Sequence, residues 1–217
     1  MDIYSQINKE TYNKRGQRKR NVSGYRYIKD KSNDNISVWY NEIQHEYVIS
    51  HRGTDLNDTE DLDADVSLAL GKTKNKRFYD KRTNKTKELI KEIKDVDATA
   101  KVNLTGHSLG GSTAITSLND EYVNKNVEHV YTFNPGVSPI KEKFDGSPGK
   151  ITNYVVKGDP ISNNSIHVGK VVHTKAKKDN EAMFEMAGEL SKVLTGSDYL
   201  KDIVSGLRNH SLDNFLK

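Results

Sequence analysis

The sequence predicts a single α/β domain whose central, mostly parallel sheet begins with antiparallel strands and carries helices on both faces. Three observations lead there. The N-terminal third holds short runs of β-branched and aromatic residues separated by Asn/Asp clusters, the pattern of hairpin-connected strands. From residue 81 onward helical and strand-like runs alternate, and alternation implies a parallel sheet with crossover helices. The 217 residues suffice for one hydrophobic core around such a sheet.

Taken in order, residues 1–20 are polar and basic. Their run Lys14, Arg15, Arg18, Lys19, Arg20 contains no aromatic and reads as a solvated arm ahead of a domain spanning 21–217. Residues 25–29, 36–43 and 46–51 read as a β-meander. Residues 55–80 break that pattern with an acidic stretch followed by Val66, Leu68 and Leu70, and are expected to form a long irregular loop or short-helix insertion. Leu89, Ile90 and Ile93 fall at helical spacing within 81–95. A strand at 101–104 follows, then a helix of small residues at 110–122 and strands at 127–133, at 151–156 and around Val171 and Val172. The stripe Met183, Phe184, Met186, Leu190, Val193, Leu194 reads as helical core packing. No internal repeat is visible.

Hydrophobic residues are 34% and charged residues 29%, so the surface must be strongly polar. No run approaches the roughly 20 apolar residues that a membrane helix needs. Without cysteine there is no disulfide, thiolate metal site or thiol nucleophile. The N-terminus lacks the basic start and apolar core of a signal peptide, which together with the missing cysteines suggests an intracellular, cytoplasmic location. The net charge of +4 is concentrated in residues 14–20, suited to peripheral contact with anionic lipid headgroups. No pattern supports a specific nucleic-acid partner. No cofactor or metal is expected.

The chemistry centres on Gly106, His107, Ser108, Leu109, Gly110 and Gly111. A Gly-x-Ser-x-Gly match alone is weak, with roughly a 7% chance of arising at random in a chain of this size. Its flanks raise it: a strand-like run precedes and a small-residue helix follows, as in a strained strand-to-helix turn that exposes a nucleophilic serine. A phosphate-cradling loop would need a following Lys-Ser/Thr pair, which is missing. Ser108 needs a base oriented by an acid, in this architecture in the chain order Ser, Asp/Glu, His. Asp159, directly after the strand at 151–156, and His210 near the C-terminus satisfy that order. His167 and His173 are rival bases, and Asp145, in an ordinary turn sequence, is the rival acid.

Together these residues resemble the class 3 lipase family, the fungal-lipase-like branch of the α/β-hydrolases, from about Tyr47 to the C-terminus. Four segments carry the likeness: Tyr47 to Asp55 with its Arg52-Gly53-Thr54, Gly106 to Gly111, Lys157 to Pro160, and His210 to Phe215. The resemblance implies an α/β-hydrolase fold, an oxyanion hole formed by Thr54 and the backbone N–H of Leu109, and a lid at residues 55–80. His51 stands where the family prefers an aromatic.

The expected activity is carboxylic-ester hydrolysis of lipids by a Ser108–Asp159–His210 triad through an acyl-enzyme. A phospholipid or a mono- or diacylglycerol suits this basic, highly charged chain better than triacylglycerol. The alternative is a lipase-like lipid-binding or regulatory protein that does not turn over substrate. A peptidase or thioesterase would use the same machinery with a different pocket.

Overall fold

A computed structural model of the chain describes residues 2–53, 76–136, 144–159, 162, 167–175 and 211–216. Helix α1 (Asp2–Tyr12) opens the chain, followed by strands β1 (Asn21–Val22), β2 (Tyr25–Tyr27), β3 (Ile36–Asn41) and β4 (Glu46–His51). Then come α2 (Lys76–Val96), β5 (Lys101–His107), α3 (Leu109–Ser117), α4 (Glu121–Asn126), β6 (His129–Phe133), β7 (Ile151–Val156) and β8 (Lys170–Thr174). A short 3₁₀ turn, Leu212–Phe215, ends the described chain.

The strands form one sheet in sequential order, β1 to β8. Strands β1 to β4 pair antiparallel, and β4 to β8 pair parallel. The meander is therefore the antiparallel wing of an α/β sheet, as the sequence predicts. Because β4 to β8 all run the same way, their carboxyl ends lie along one edge.

The two faces are covered differently. On one, α2, α3 and α4 close an apolar core that includes Val38, Ile49, Leu104, Leu89, Ile90 and Ile93. Alternation along β4 and β5 points every second residue the other way, toward α1. There the buried residues are largely polar, and their hydrogen bonds link one strand to the next. Trp39 Nε1 donates to Ser37, which bonds Thr11 at 2.6 Å; Thr11 donates to Ser50 at 2.8 Å. Ser50 donates to Asn8 Oδ1, Asn8 Nδ2 to Thr105, and Thr105 to the Tyr131 carbonyl, each at 2.8–2.9 Å.

Residues 2–20 are thus not a solvated arm. Ile7 is fully buried, and Ser5, Asn8 and Thr11 are buried beside it. Arg18 is buried too, its guanidinium donating to the carbonyls of Thr11, Asn13, Asn33, Asp34 and Ile36 and to the Tyr27 hydroxyl. Two of those carbonyls belong to the C-terminal end of α1 and its exit, where a cation is favoured. The polar face of this helix is satisfied by hydrogen bonds instead of by water, which hydropathy does not register.

Three further expectations shift. Residues 76–80, expected in the insertion, begin α2, while residues 54–75 lie outside the described residues, as does the stripe at 183–194. The helix expected at 110–122 is two helices, because Asp120 caps α4 by accepting from the Val123 N–H at 3.1 Å. Asp and Asn compete for backbone hydrogen bonds and favour caps over helix interiors. Strand β6 starts at His129 instead of residue 127.

Candidate active site

Ser108 sits between β5 and α3 with φ 54 and ψ −127, a conformation that costs a non-glycine residue on the order of 1–3 kcal/mol. Its surroundings impose the strain. The Ser108 N–H donates to the Phe133 carbonyl at 3.1 Å, and its own carbonyl accepts from the N–H groups of Ser112 and Gly136. A Cβ at Gly106 would run into the Gly110 backbone, and one at Gly110 into the His51 carbonyl. Only glycine fits at either position, so strand, turn and helix meet backbone to backbone. Leu109, almost fully buried, is the first residue of α3, and the first N–H groups of a helix have no acceptor within it.

Asp159 lies past the carboxyl end of β7, two strands from β5 and hence about 10 Å across the sheet. It is fully buried, in a turn closed by its N–H to the Val156 carbonyl at 3.1 Å. The rival acid Asp145 is exposed, and its N–H donates to Asn119 beyond the far end of α3. At 1.5 Å per helical residue that is about 15 Å from Ser108.

Of the histidines, His173 is exposed on β8 opposite Val155. His167 is half-buried with Nε2 2.7 Å from the Ser162 carbonyl, and burial lowers its pKa. Ser162 is itself tied by its hydroxyl to the Pro135 carbonyl. His210 lies outside the described residues. The chain immediately after it, Leu212 and Phe215, packs on Phe133 and Val156 at the carboxyl ends of β6 and β7. Helix α1 holds this segment through Ser5 Oγ to the Phe215 carbonyl at 3.1 Å and Lys9 to Asp213 at 2.9 Å.

Thr54 also lies outside the described residues, but Gly53 before it is packed against the elbow. A Cβ at Gly53 would come 2.5 Å from the His107 carbonyl and 3.4 Å from Ser108 Cβ. Arg52 precedes it with both main-chain groups bonded: its N–H to the Asn35 carbonyl at 2.9 Å, its C=O to Arg82 at 2.6 Å.

Several residues around this edge carry no sequence motif. The Tyr12 hydroxyl is 2.8 Å from His107 Nδ1, bringing α1 to the residue before Ser108. His51 is fully buried, with Nε2 3.2 Å from Thr86 Oγ. Burial first, and the Arg82 charge second, push its pKa down to about 3. The only signal in the chain was its place ahead of Arg52. Among the described residues no cluster of His, Asp and Glu is arranged to hold a metal ion, and no helix is long and apolar enough to cross a membrane.

A family model described as a phospholipase-like, Tle-like phospholipase domain matches residues 4–205. No curated protein matches the chain. Among solved structures, Rhizomucor miehei lipase in its propeptide complex is 14% identical with a TM-score of 0.53, over 79% of this chain and 66% of that one. The lipase from Rhizopus microsporus var. chinensis is 20% identical with a TM-score of 0.48, over 67% of this chain and 58% of that one. Lip2 lipase from Yarrowia lipolytica is 13% identical with a TM-score of 0.45, over 79% and 76%. The chain thus spans 58% and 66% of the Rhizopus and Rhizomucor lipases. The Rhizomucor likeness supports the α/β-hydrolase fold.

Proposed function

The chain belongs to the Tle-like phospholipase domain family, and from that premise we propose that it is a serine hydrolase of lipid carboxylic esters, with phospholipid as the favoured substrate class. The observation that carries this reading is Ser108. A non-glycine residue held at positive φ, between glycines that admit no side chain, is a strained conformation that a plain turn has no need to keep.

In the proposed mechanism His210, oriented by Asp159, takes the Ser108 proton as Oγ attacks the ester carbonyl. The N–H of Leu109 and Thr54 stabilise the oxyanion. Collapse of the tetrahedral intermediate expels the alcohol, here a lysophospholipid, which receives the proton from His210. Water then attacks the acyl-enzyme by the same route in reverse and releases the fatty acid. Burial of Asp159 suits an acid that orients a base without meeting solvent.

Within the basic run, Lys14, Lys19 and Arg20 are exposed while Arg18 is buried, so three side chains stand out on a backbone that Arg18 anchors. Arg18 bonds the loop leading into Ile36, which pairs with His51 at the carboxyl edge of β4. Lys19 is paired with Glu10 at 3.2 Å, and Lys14 follows α1, whose Tyr12 reaches His107, so Lys14 is the exposed cation that favours docking on anionic lipid with that edge toward the membrane.

Ser108→Ala is expected to lower phospholipid hydrolysis by about 10⁴-fold or more and to abolish labelling by a fluorophosphonate probe. Wild-type hydrolysis by Ser108→Ala would refute the assignment. Lipid binding without labelling or turnover in the wild type would instead identify a lipid-binding relative.

A further inference from the structure

Arg52 and Gly53, the last described residues after β4, are gripped from outside the elbow by helix α2. Arg82 Nη1 donates to the Arg52 carbonyl at 2.6 Å, and Nη2 to Asn35 Oδ1 at 3.2 Å. Asn35 in turn accepts the Arg52 N–H through its own carbonyl. The Arg52 main chain is therefore held at both its polar groups by a closed set of three residues. The guanidinium lies 4.5 Å from the centre of the Phe78 ring, a stacking contact available to a planar cation but poorly to an ammonium.

One turn further along α2, Thr86 donates its hydroxyl proton to the Arg82 carbonyl at 2.9 Å. Its oxygen is then free to accept from His51 Nε2, 3.2 Å away. Helix α2 thus bonds two successive residues, His51 and Arg52, at the point where β4 ends. From the other side, Gly110 leaves no room for a Cβ against the His51 carbonyl, and Gly53 none against that of His107. A shift of residues 51–53 would consequently be transmitted to the elbow.

We propose that Arg82, supported by Thr86 and His51, is a positioning residue that fixes the Arg52–Gly53 peptide against the Ser108 elbow, the main chain from which the proposed oxyanion donor continues in sequence. This assignment rests on the hydrolase reading above. It also accounts for His51: a side chain that bonds α2 stands where the resembled family places an aromatic. The apolar seam of α2, Leu89, Ile90 and Ile93, lies beyond Arg82, so the helix docks on the sheet without it.

Displacing an oxyanion donor by about 1 Å costs on the order of 10²-fold in turnover. Arg82→Met is therefore expected to lower kcat about 10²-fold while changing KM by less than about threefold. Arg82→Lys is expected to recover only part of the loss, lacking the fork and the stack. Added guanidinium is expected to restore part of the activity of Arg82→Ala. Hydrogen exchange at the Arg52 and Gly53 amides, measured without substrate, should accelerate in Arg82→Met. The exposed Arg77→Gln on the same helix should leave kcat and exchange unchanged. Wild-type kcat in Arg82→Met, or a kcat loss with unchanged exchange and no guanidinium rescue, would overturn the proposal. Faster exchange in Arg82→Met together with a wild type that shows no Ser108-dependent hydrolysis would sink the hydrolase reading and leave the latch standing.

Discussion

The two faces of the sheet solve the same burial problem with opposite chemistry. Against α2, α3 and α4 the sheet presents Val38, Ile49 and Leu104, and dispersion and the hydrophobic effect hold the layers. Against α1 much of it presents Ser37, Ser50 and Thr105, which join Thr11 and Asn8 in a chain of hydrogen bonds across β3, β4 and β5 to the Tyr131 carbonyl of β6. An apolar layer tolerates small slips, whereas a chain of hydrogen bonds in a low-dielectric interior fixes register, since each unmade bond strands a buried group. The face that demands register is the one whose helix reaches His107 through Tyr12 and the C-terminal segment through Ser5 and Lys9. Polar packing has been placed where the site needs alignment.

The comparison breaks most readily at Arg18. Arg18→Met keeps much of the apolar bulk but removes the donor to five carbonyls, and the expected loss is about 3–5 kcal/mol by denaturant unfolding. A loss below about 1 kcal/mol would mean that the polar face is not what holds α1.

A smaller effect tests the opposite face, where His51 is a fully buried ionisable side chain bonded to α2. Burial keeps it neutral in the folded protein down to about pH 3, while the unfolded chain binds a proton below about 6.5. The folded state therefore binds fewer protons than the unfolded state between those values. Stability is complete above pH 6.5 and falls as pH drops through that window, by about 1.4 kcal/mol per unit once well below 6.5. Between pH 6.5 and 5 the His51 contribution is about 1.6 kcal/mol, read as the change over that interval in the difference in unfolding free energy between wild type and His51→Phe. Parallel pH profiles for the two proteins would contradict it.

The smallest expected effect lies at the solvent margin of the polar face. Lys9 and Asp213 are 59% and 50% exposed, so screening leaves their ion pair little weight. Lys9→Ala should change stability by less than about 0.5 kcal/mol and lose even that in 1 M salt. A larger thermal shift would show that the pair, and not Ser5 with the apolar contacts of Phe215, docks the C-terminal segment.

Much of the fold was legible because it is written in local patterns. The β3 and β4 strands alternate around β-branched and aromatic residues, and α2 carries Leu89, Ile90 and Ile93 at helical spacing among charges. The elbow was legible for a different reason: Gly106 and Gly110 are demanded by backbone contacts that no other residue permits, so spacing records geometry. Helix α1 was misread because its buried stripe, Ser5, Asn8, Thr11, is polar, and a polar stripe looks the same whether it faces water or a matching set of hydroxyls. The split of α3 from α4 was signalled by Asn119 and Asp120 but hidden in a run of small residues.

The sequence by itself determined the order of strands β2 to β8, the serine turn between strand and helix and the candidate acid that follows β7, since each depends on residues close in the chain. Only the tertiary structure decided that Arg18 is an anchor and not a free cation, that Asp145 lies beyond the wrong end of α3, and that Arg82 grips the main chain of Arg52. Those decisions rest on contacts between residues 16, 26 and 30 positions apart, as from Arg18 to Asp34, Asp145 to Asn119 and Arg82 to Arg52. The partner of a buried polar group is set by what the fold brings beside it, and side-chain type alone carries no record of that neighbour.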